Sequence, residues 1–317
     1  MSGNTWEPTY ELRSKKKRGR GGANSDDIVI SVLKRWKALS ADDRKRVTKL
    51  ELPVYPHAAL DLTGCSALRE LQLSGVNVKT VNLTGCTAMH TLSITDCPNL
   101  NTASLDLTTC GAVLDSLSLS RCRVTSIGAH GGDTGTLDLS QCSRLRELVL
   151  SGTKLVTLGA NPFKGCGQLN YINASNCTSL GDLGLHGFQD CSVLHTVNLS
   201  GCSALRGLGP YGFEGCKRLA QVDLSGCAAL RGIGAYAFED CPLEAVSLSG
   251  CSSIGSIGTR AFSDSAITAI DLSTCTALTS IDDDAFYDCG ALVQVTFPLS
   301  LVYIGKDAFA GCDALCS

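Results

Sequence analysis

The residues of this 317-residue chain that could do chemistry are 18 cysteines, five histidines and one glycine phrase. Thiolates and imidazoles hold zinc when they come in close pairs such as C-x-x-C or H-x-x-x-H. Here only Cys312 and Cys316 stand near each other, as C-x-x-x-C, while His57, His90, His130, His186 and His195 are scattered. Gly207-Leu208-Gly209-Pro210-Tyr211-Gly212 spells G-x-G-x-x-G, which cradles a pyrophosphate when it joins a strand to a helix N-terminus. Asn82-Leu83-Thr84, Asn173-Ala174-Ser175, Asn176-Cys177-Thr178 and Asn198-Leu199-Ser200 spell glycosylation acceptors. No phosphate-binding G-x-x-x-x-G-K-[ST], no nucleophile elbow G-x-S-x-G and no paired-carboxylate arrangement stands out.

Spacing explains these features without a reaction. Phenylalanines fall at 163, 188, 213, 238, 262, 286 and 309, at intervals of 23 to 25 residues, and they are seven of the chain's eight. Around them recurs L-x-x-V-x-L-S-G-C-x-x-L-x-x-I-G-x-x-A-F-x-x-C, clearest from Leu219 to Cys241. The glycine phrase is one copy of that text; one repeat later the same slot reads Gly232-Ile233-Gly234-Ala235-Tyr236-Ala237. Cysteines close two of its elements: Cys177, Cys202, Cys227, Cys251 and Cys275 in one series, Cys166, Cys191, Cys216, Cys241, Cys289 and Cys312 in the other. Ser265 takes a cysteine's place in the second series, as a small buried filler can. No metal, no cofactor and no enzymatic activity is expected, and the sequons read as strand polar residues.

The elements that position these residues follow from the period. A segment such as Val197-Asn198-Leu199 alternates apolar and polar, so it forms a short strand with its apolar side chains inward. The Ser-Gly after it turns the chain, and L-x-x-I-G-x-x-A-F-x-x-C must form an opposite wall, as one turn of helix or an irregular bend. One repeat cannot bury its own face, so stacking completes the core. In the N-terminal half, Leu62, Leu73, Leu83, Ile94, Leu107 and Leu119 end L-x-L or similar triplets 10 to 13 residues apart, which predicts two short strands per turn, one on each wall. The two rhythms meet between Leu119 and Leu158, where the Gly128–Gly135 stretch interrupts them.

This phrase resembles the BspA-like subclass of leucine-rich repeats over about residues 140–316, and its L-x-x-L-x-L-x-x-C half extends the likeness back to about residue 58. The resemblance implies a leucine-rich-repeat solenoid: a parallel sheet on a concave wall, short helical turns or irregular strands on the convex wall, and protein–protein recognition as the function. Many BspA-like proteins are surface adhesins. This chain departs from them in two ways, since Met1–Arg20 lacks the apolar segment of a secretory signal and carries a basic run instead.

Charge divides the chain. Residues 1–50 carry 13 Lys/Arg against 6 Asp/Glu, and residues 51–317 carry 14 against 24. The organisation expected is a disordered basic arm (1–25), a helical N-terminal cap (26–51) and the solenoid (52–317), of roughly 11 turns. The arm holds Lys15, Lys16, Lys17, Arg18 and Arg20, a run that fits an import-receptor contact, a nucleic-acid contact or a solubilising tail. In the cap, Ser25-Asp26 can start a helix with Ile28, Val32, Trp36 and Leu39 on one face, and Ser40 can start a second. Val32–Leu39 followed by Leu50-Glu51-Leu52 also resembles the second half of an F-box, which would make the chain a substrate receptor of a ubiquitin ligase. No apolar run reaches the ~18 residues of a membrane span, so an intracellular chain, cytoplasmic or nuclear, with reduced thiols is expected.

The partner-binding residues expected on the concave face are Asp106, Asp138, Tyr171, Asn173, Asn198, Asp223 and Asp271, the polar residues between strand apolars. That column is small and mildly acidic, with Tyr171 its main aromatic. The convex wall offers Arg206, Tyr211, Arg231, Tyr236 and Arg260 as an alternative.

Overall fold

The computed structural model describes residues 29–30, 36, 38–127, 136–158, 162–163, 166–183 and 187–315. Its backbone is a repeating array of short parallel strands with one continuous apolar core, running from Trp36 to Cys312. The long wall begins with Val29–Ile30 and continues through Lys49–Leu52, Glu70–Ser74, Thr91–Thr95, Ser116–Ser118, Glu147–Val149, Tyr171–Asn173, Thr196–Asn198, Gln221–Asp223 and Ala245–Ser247. Ala269–Asp271 and Gln294–Thr296 extend it as a parallel pair. From Lys49 onward the described residues form 11 such rungs. The three-residue rungs from Ser116–Ser118 to Gln221–Asp223 each bury one central side chain, Leu117, Leu148, Ile172, Val197 and Val222, and turn their two flanking residues outward.

The second wall is also built of strands. Ala59–Asp61 pairs with Thr80–Asn82 near the N-terminus. Toward the C-terminus, Gly232–Ile233, Ser256–Ile257, Ser280–Ile281 and Tyr303–Ile304 form a four-stranded parallel sheet. These two-residue strands leave no space for the helical turn admitted as one option, because the following A-F-x-x-C segment closes in turns. Phe163, Phe188, Phe213, Phe238, Phe262, Phe286 and Phe309 stack successively inside those turns, with ring centroids 4.7–5.4 Å apart.

The region of uncertain rhythm is an insertion. Successive rungs of the long wall start 20 to 25 residues apart, except from Ser116 to Glu147, where the step is 31. The surplus adds one strand to the second wall, Thr136–Leu137, laid parallel beside Ser126–Ile127. Ser126 then bridges to Thr157, and Thr157 to Asp182, so the wall resumes its course.

The cap departs from expectation at its start. Val29–Ile30 is a strand paired with Lys49–Leu50, so the segment 26–51 is not helical throughout. A two-residue edge strand that completes the sheet satisfies the backbone groups of the first rung, which a helix there would leave unpaired. Ser40 does cap a short helix, Ala41–Arg44, by accepting the Asp43 N–H on its hydroxyl. Trp36 is buried at the end of the core, with the Arg44 guanidinium 4.9 Å above its ring. Ser25, Asp26, Ile28 and Val32 lie outside the described residues, as do the arm residues Lys15, Lys16, Lys17, Arg18 and Arg20. Among the described residues, no helix is long and apolar enough to cross a membrane.

Candidate functional site

The cysteines occupy the two corners of the array. Cys97, Cys122, Cys177, Cys202, Cys227, Cys251 and Cys275 follow the long wall, and Cys65, Cys86, Cys110, Cys142, Cys166, Cys191, Cys216, Cys241, Cys289 and Cys312 follow the second wall. Of these 17 described thiols, 16 are buried and none is in a disulfide. Many donate S–H to a carbonyl one turn back: Cys202 to Ala174 at 3.2 Å, Cys227 to Leu199 at 3.3 Å, Cys216 to Phe188 at 3.0 Å and Cys289 to Phe262 at 3.0 Å. Burial pushes the thiols of Cys86, Cys142, Cys191, Cys227 and Cys241 up to about 12. A reactive or metal-binding cysteine needs the opposite, an accessible thiolate. These thiols tie one turn to the next.

Tyr171, Asn173, Asn198, Asp223 and Asp271 all face outward from the long wall. Asn173, Asn198 and Asp223 stand on successive rungs in register. Asp106 and Asp138 do not join them. Asp106 follows the 3-10 turn Thr102–Ser104 and Asp138 follows the strand Thr136–Leu137, both on the second wall, in line with Asp61 and Asn82. The cause is that one phrase, L-x-L-x-x-C, serves both walls in the N-terminal half, so its polar residue does not identify a face.

A second finding changes what this column does. Each outward Asp or Asn accepts the backbone N–H two residues on: Asp61 from Thr63, Asn82 from Thr84, Asp106 from Thr108, Asp138 from Ser140, Asn173 from Ser175, Asn198 from Ser200, Asp223 from Ser225 and Asp271 from Ser273, all at 2.8–3.0 Å. These are Asx turns, in which a short polar side chain ends the strand by replacing a backbone acceptor. Donation from Thr63, Thr108 and Ser273 holds the carboxyls of Asp61, Asp106 and Asp271 below the usual carboxylate range. The residue two positions on is Ser or Thr in all eight copies, so the sequons at Asn82, Asn173 and Asn198 are spellings of this turn. The turn was legible as N/D-x-S/T after each strand, but the column reads equally well as a recognition surface.

The second wall presents larger groups. Tyr211 and Tyr236 stack with centroids 5.1 Å apart and planes 4° from parallel, and Tyr211 is 42% exposed. Arg206 and Arg231, both exposed, sit on the rungs that lead into them, with the Arg231 N–H bonded to the Arg206 carbonyl. Arg260 takes the next place in the tyrosine column and reaches Glu239 at 3.4 Å and Asp284 at 3.3 Å. That column has left-handed backbone, with φ of 56° at Tyr211, 57° at Tyr236, 51° at Arg260, 55° at Asp284 and 54° at Asp307. Asp adopts this region readily and bulky residues do not. Tyr211 and Tyr236 are therefore held where the backbone conformation alone would favour Asp, Asn or Gly.

The family model for the BspA type leucine rich repeat region, in six copies, matches residues 135–268 and 186–316, together more than half of the chain. The chain belongs to the BspA-type leucine-rich-repeat family. Comparison with curated proteins returned no match. Solved structures that it resembles include a leucine rich cell surface protein from Faecalibacterium prausnitzii A2-165, at 18% identity over 86% of this chain and 76% of that one, with a TM-score of 0.31. A leucine-rich repeat protein from Bacteroides ovatus ATCC 8483 is similar at 19% identity over 81% of each chain, with a TM-score of 0.30. The leucine rich repeat protein of T. pallidum is similar at 23% identity over 51% of this chain and 78% of that one, with a TM-score of 0.33. The BspA-type match and the strand array describe the same residues: the matched span contains every stacked phenylalanine.

Proposed function

We propose that this BspA-type chain is a non-enzymatic scaffold that binds a protein partner through the second wall, at Tyr211 and Tyr236 with Arg206, Arg231 and Arg260 around them. The stacked tyrosine pair, with Tyr211 exposed and Tyr236 half-buried beneath it, carries this reading. Tyr and Arg are enriched among the residues that dominate interface energies, Tyr as a rigid ring with a polar tip and Arg as a planar fork of hydrogen-bond donors. The long wall offers the reverse, with its Asp and Asn side chains already engaged in turns. The partner that fits is a segment with apolar and acidic side chains. The buried, unpaired thiols favour work in a reducing compartment. The ligase-receptor reading needs Trp36 to meet another protein, and that side chain is 3% exposed inside the cap.

Affinity capture followed by mass spectrometry tests the assignment with two variants of unchanged circular dichroism. Proteins held by the wild type should be lost from Tyr211→Ala/Tyr236→Ala and kept by Asp223→Lys/Asp271→Lys. The opposite pattern would move binding to the long wall.

A further inference from the structure

The arginines of the second wall differ in how they are paired. Arg260 is held by Glu239 and Asp284. Arg206 and Arg231 are exposed, and among the described residues neither guanidinium has an ion-pair or hydrogen-bond partner. The two stand on adjacent rungs, joined by the Arg231 N–H on the Arg206 carbonyl at 3.0 Å. Two like charges therefore leave parallel backbones about 4.8 Å apart. Their neighbours in that column are Gly181 and Gly255, which bring no counter-charge. In the adjoining column Asp182 accepts the Thr157 hydroxyl at 3.0 Å. The fold does not call for these two glycines. A Cβ at Gly181 would meet only the Val156 carbonyl, at 4.0 Å, and the closest contact of one at Gly255 would be the Arg231 carbonyl, at 3.6 Å. Glycine there leaves the backbone open on both sides of the guanidinium pair.

We propose that Arg206 and Arg231 together bind one phosphoryl group, carried by the protein segment that the Tyr211–Tyr236 patch recognises. The inference rests on that reading of the patch and names the acidic group it takes. One guanidinium fork satisfies one carboxylate. Two forks side by side fit a phosphomonoester, which carries about 1.5 to 2 negative charges and three strong acceptor oxygens. The planar fork also matches phosphate geometry, which the point charge of an ammonium does not. The surrounding charge selects a single phosphoryl group over a polyanion. Residues 51–317 carry 14 Lys/Arg against 24 Asp/Glu, and exposed Glu214 follows Tyr211 within the same turn. A nucleic-acid backbone or an anionic membrane would meet net repulsion on such a body.

Fluorescence anisotropy on the full chain tests this with four degenerate peptide mixtures, alike except for a fixed central residue: phosphoserine, phosphotyrosine, glutamate or serine. A phosphorylated mixture should bind at least about 10-fold more tightly than the glutamate mixture. Arg206→Gln/Arg231→Gln should remove that preference with unchanged circular dichroism. Arg206→Lys/Arg231→Lys, which keeps the charge and loses the forks, should lower it by about 10-fold. Phosphorylated peptides bound equally well by Tyr211→Ala/Tyr236→Ala would keep the arginine site and refute the tyrosine patch. Equal binding of the phosphorylated and glutamate mixtures, both lost in Tyr211→Ala/Tyr236→Ala, would overturn the phosphoryl assignment and leave the patch standing. Failure of every mixture to bind, or a preference that survives Arg206→Gln/Arg231→Gln, would also overturn it. So would a single-stranded RNA oligomer that binds more tightly than any peptide and is released by the same double variant.

Discussion

Asn198 does two jobs in the sequence and one in the structure. Its position between buried Val197 and Leu199 makes it outward-facing, which invites a binding role, but its carboxamide oxygen accepts from both the N–H and the hydroxyl of Ser200. Asn198→Ala should therefore lower stability by about 1 kcal/mol, the worth of a local hydrogen bond, while leaving partner binding unchanged; urea denaturation read beside a pull-down checks both. Gly234 is a different case of a residue whose role is invisible until turns are stacked. A Cβ there would run into the Gly209 carbonyl of the preceding turn, whereas one at Gly167 would meet nothing within 4 Å. Gly234→Ala should cost about 1–3 kcal/mol and Gly167→Ala should be close to neutral. Equal effects would mean that the turns are not packed at that distance. Tyr211, Tyr236 and Arg260 could be read from the sequence as part of an alternative surface, but their left-handed backbone conformation could not, since Tyr is an uncommon choice there.

At the scale of elements, the cysteine corners and the phenylalanine stack govern stability. Phe238 is fully buried between Phe213 and Phe262 at 4.8 and 5.3 Å. Its replacement by Ala should cost about 3–5 kcal/mol, measurable by chemical denaturation; a change below about 1 kcal/mol, typical of surface sites, would place the ring outside the core. The thiols set a pH limit. The thiols of Cys86, Cys142, Cys191, Cys227 and Cys241 are pushed up to about 12 from an ordinary 9.0, so above pH 9.0 the unfolded chain releases protons that the folded chain keeps. The unfolded state then binds fewer protons, and stability falls as pH rises. The contribution is intact below pH 9.0 and is lost progressively toward 12. The denaturation midpoint should drop between pH 8 and pH 10.5 in step with the release of thiols to a thiol reagent; thiols that react fully in the native state at neutral pH would contradict the buried corners.

The strand-and-corner plan was legible because one text repeats seven times with a phenylalanine in a fixed place. The wall to which Asp106 and Asp138 belong was not, because the N-terminal turns use the same L-x-L-x-x-C text at both corners, and only the pairing of Ala59–Asp61 with Thr80–Asn82 separates them. The Val29–Ile30 strand was equally hidden. Two residues cannot establish a period of two, and the apolar spacing of Val32, Trp36 and Leu39 supports a helix over the same stretch.

For the whole molecule, the consequence of a repeating array is that one core runs from end to end while the surface is free to differ from rung to rung. The long wall spends its outward Asp and Asn residues on strand ends. The second wall interrupts its own pattern with Tyr211 and Tyr236, at positions where Asp284 and Asp307 show the conformationally easier choice. The proposed site places specificity where that pattern is broken, on the second wall. Amide hydrogen exchange of the chain, free and bound to a partner recovered by affinity capture, tests this most directly. Binding through the second wall predicts new protection at residues 206–212 and 231–237, with the rungs Tyr171–Asn173, Thr196–Asn198 and Gln221–Asp223 unchanged. Protection confined to those three rungs, with the tyrosine turns exchanging as in the free chain, would contradict it.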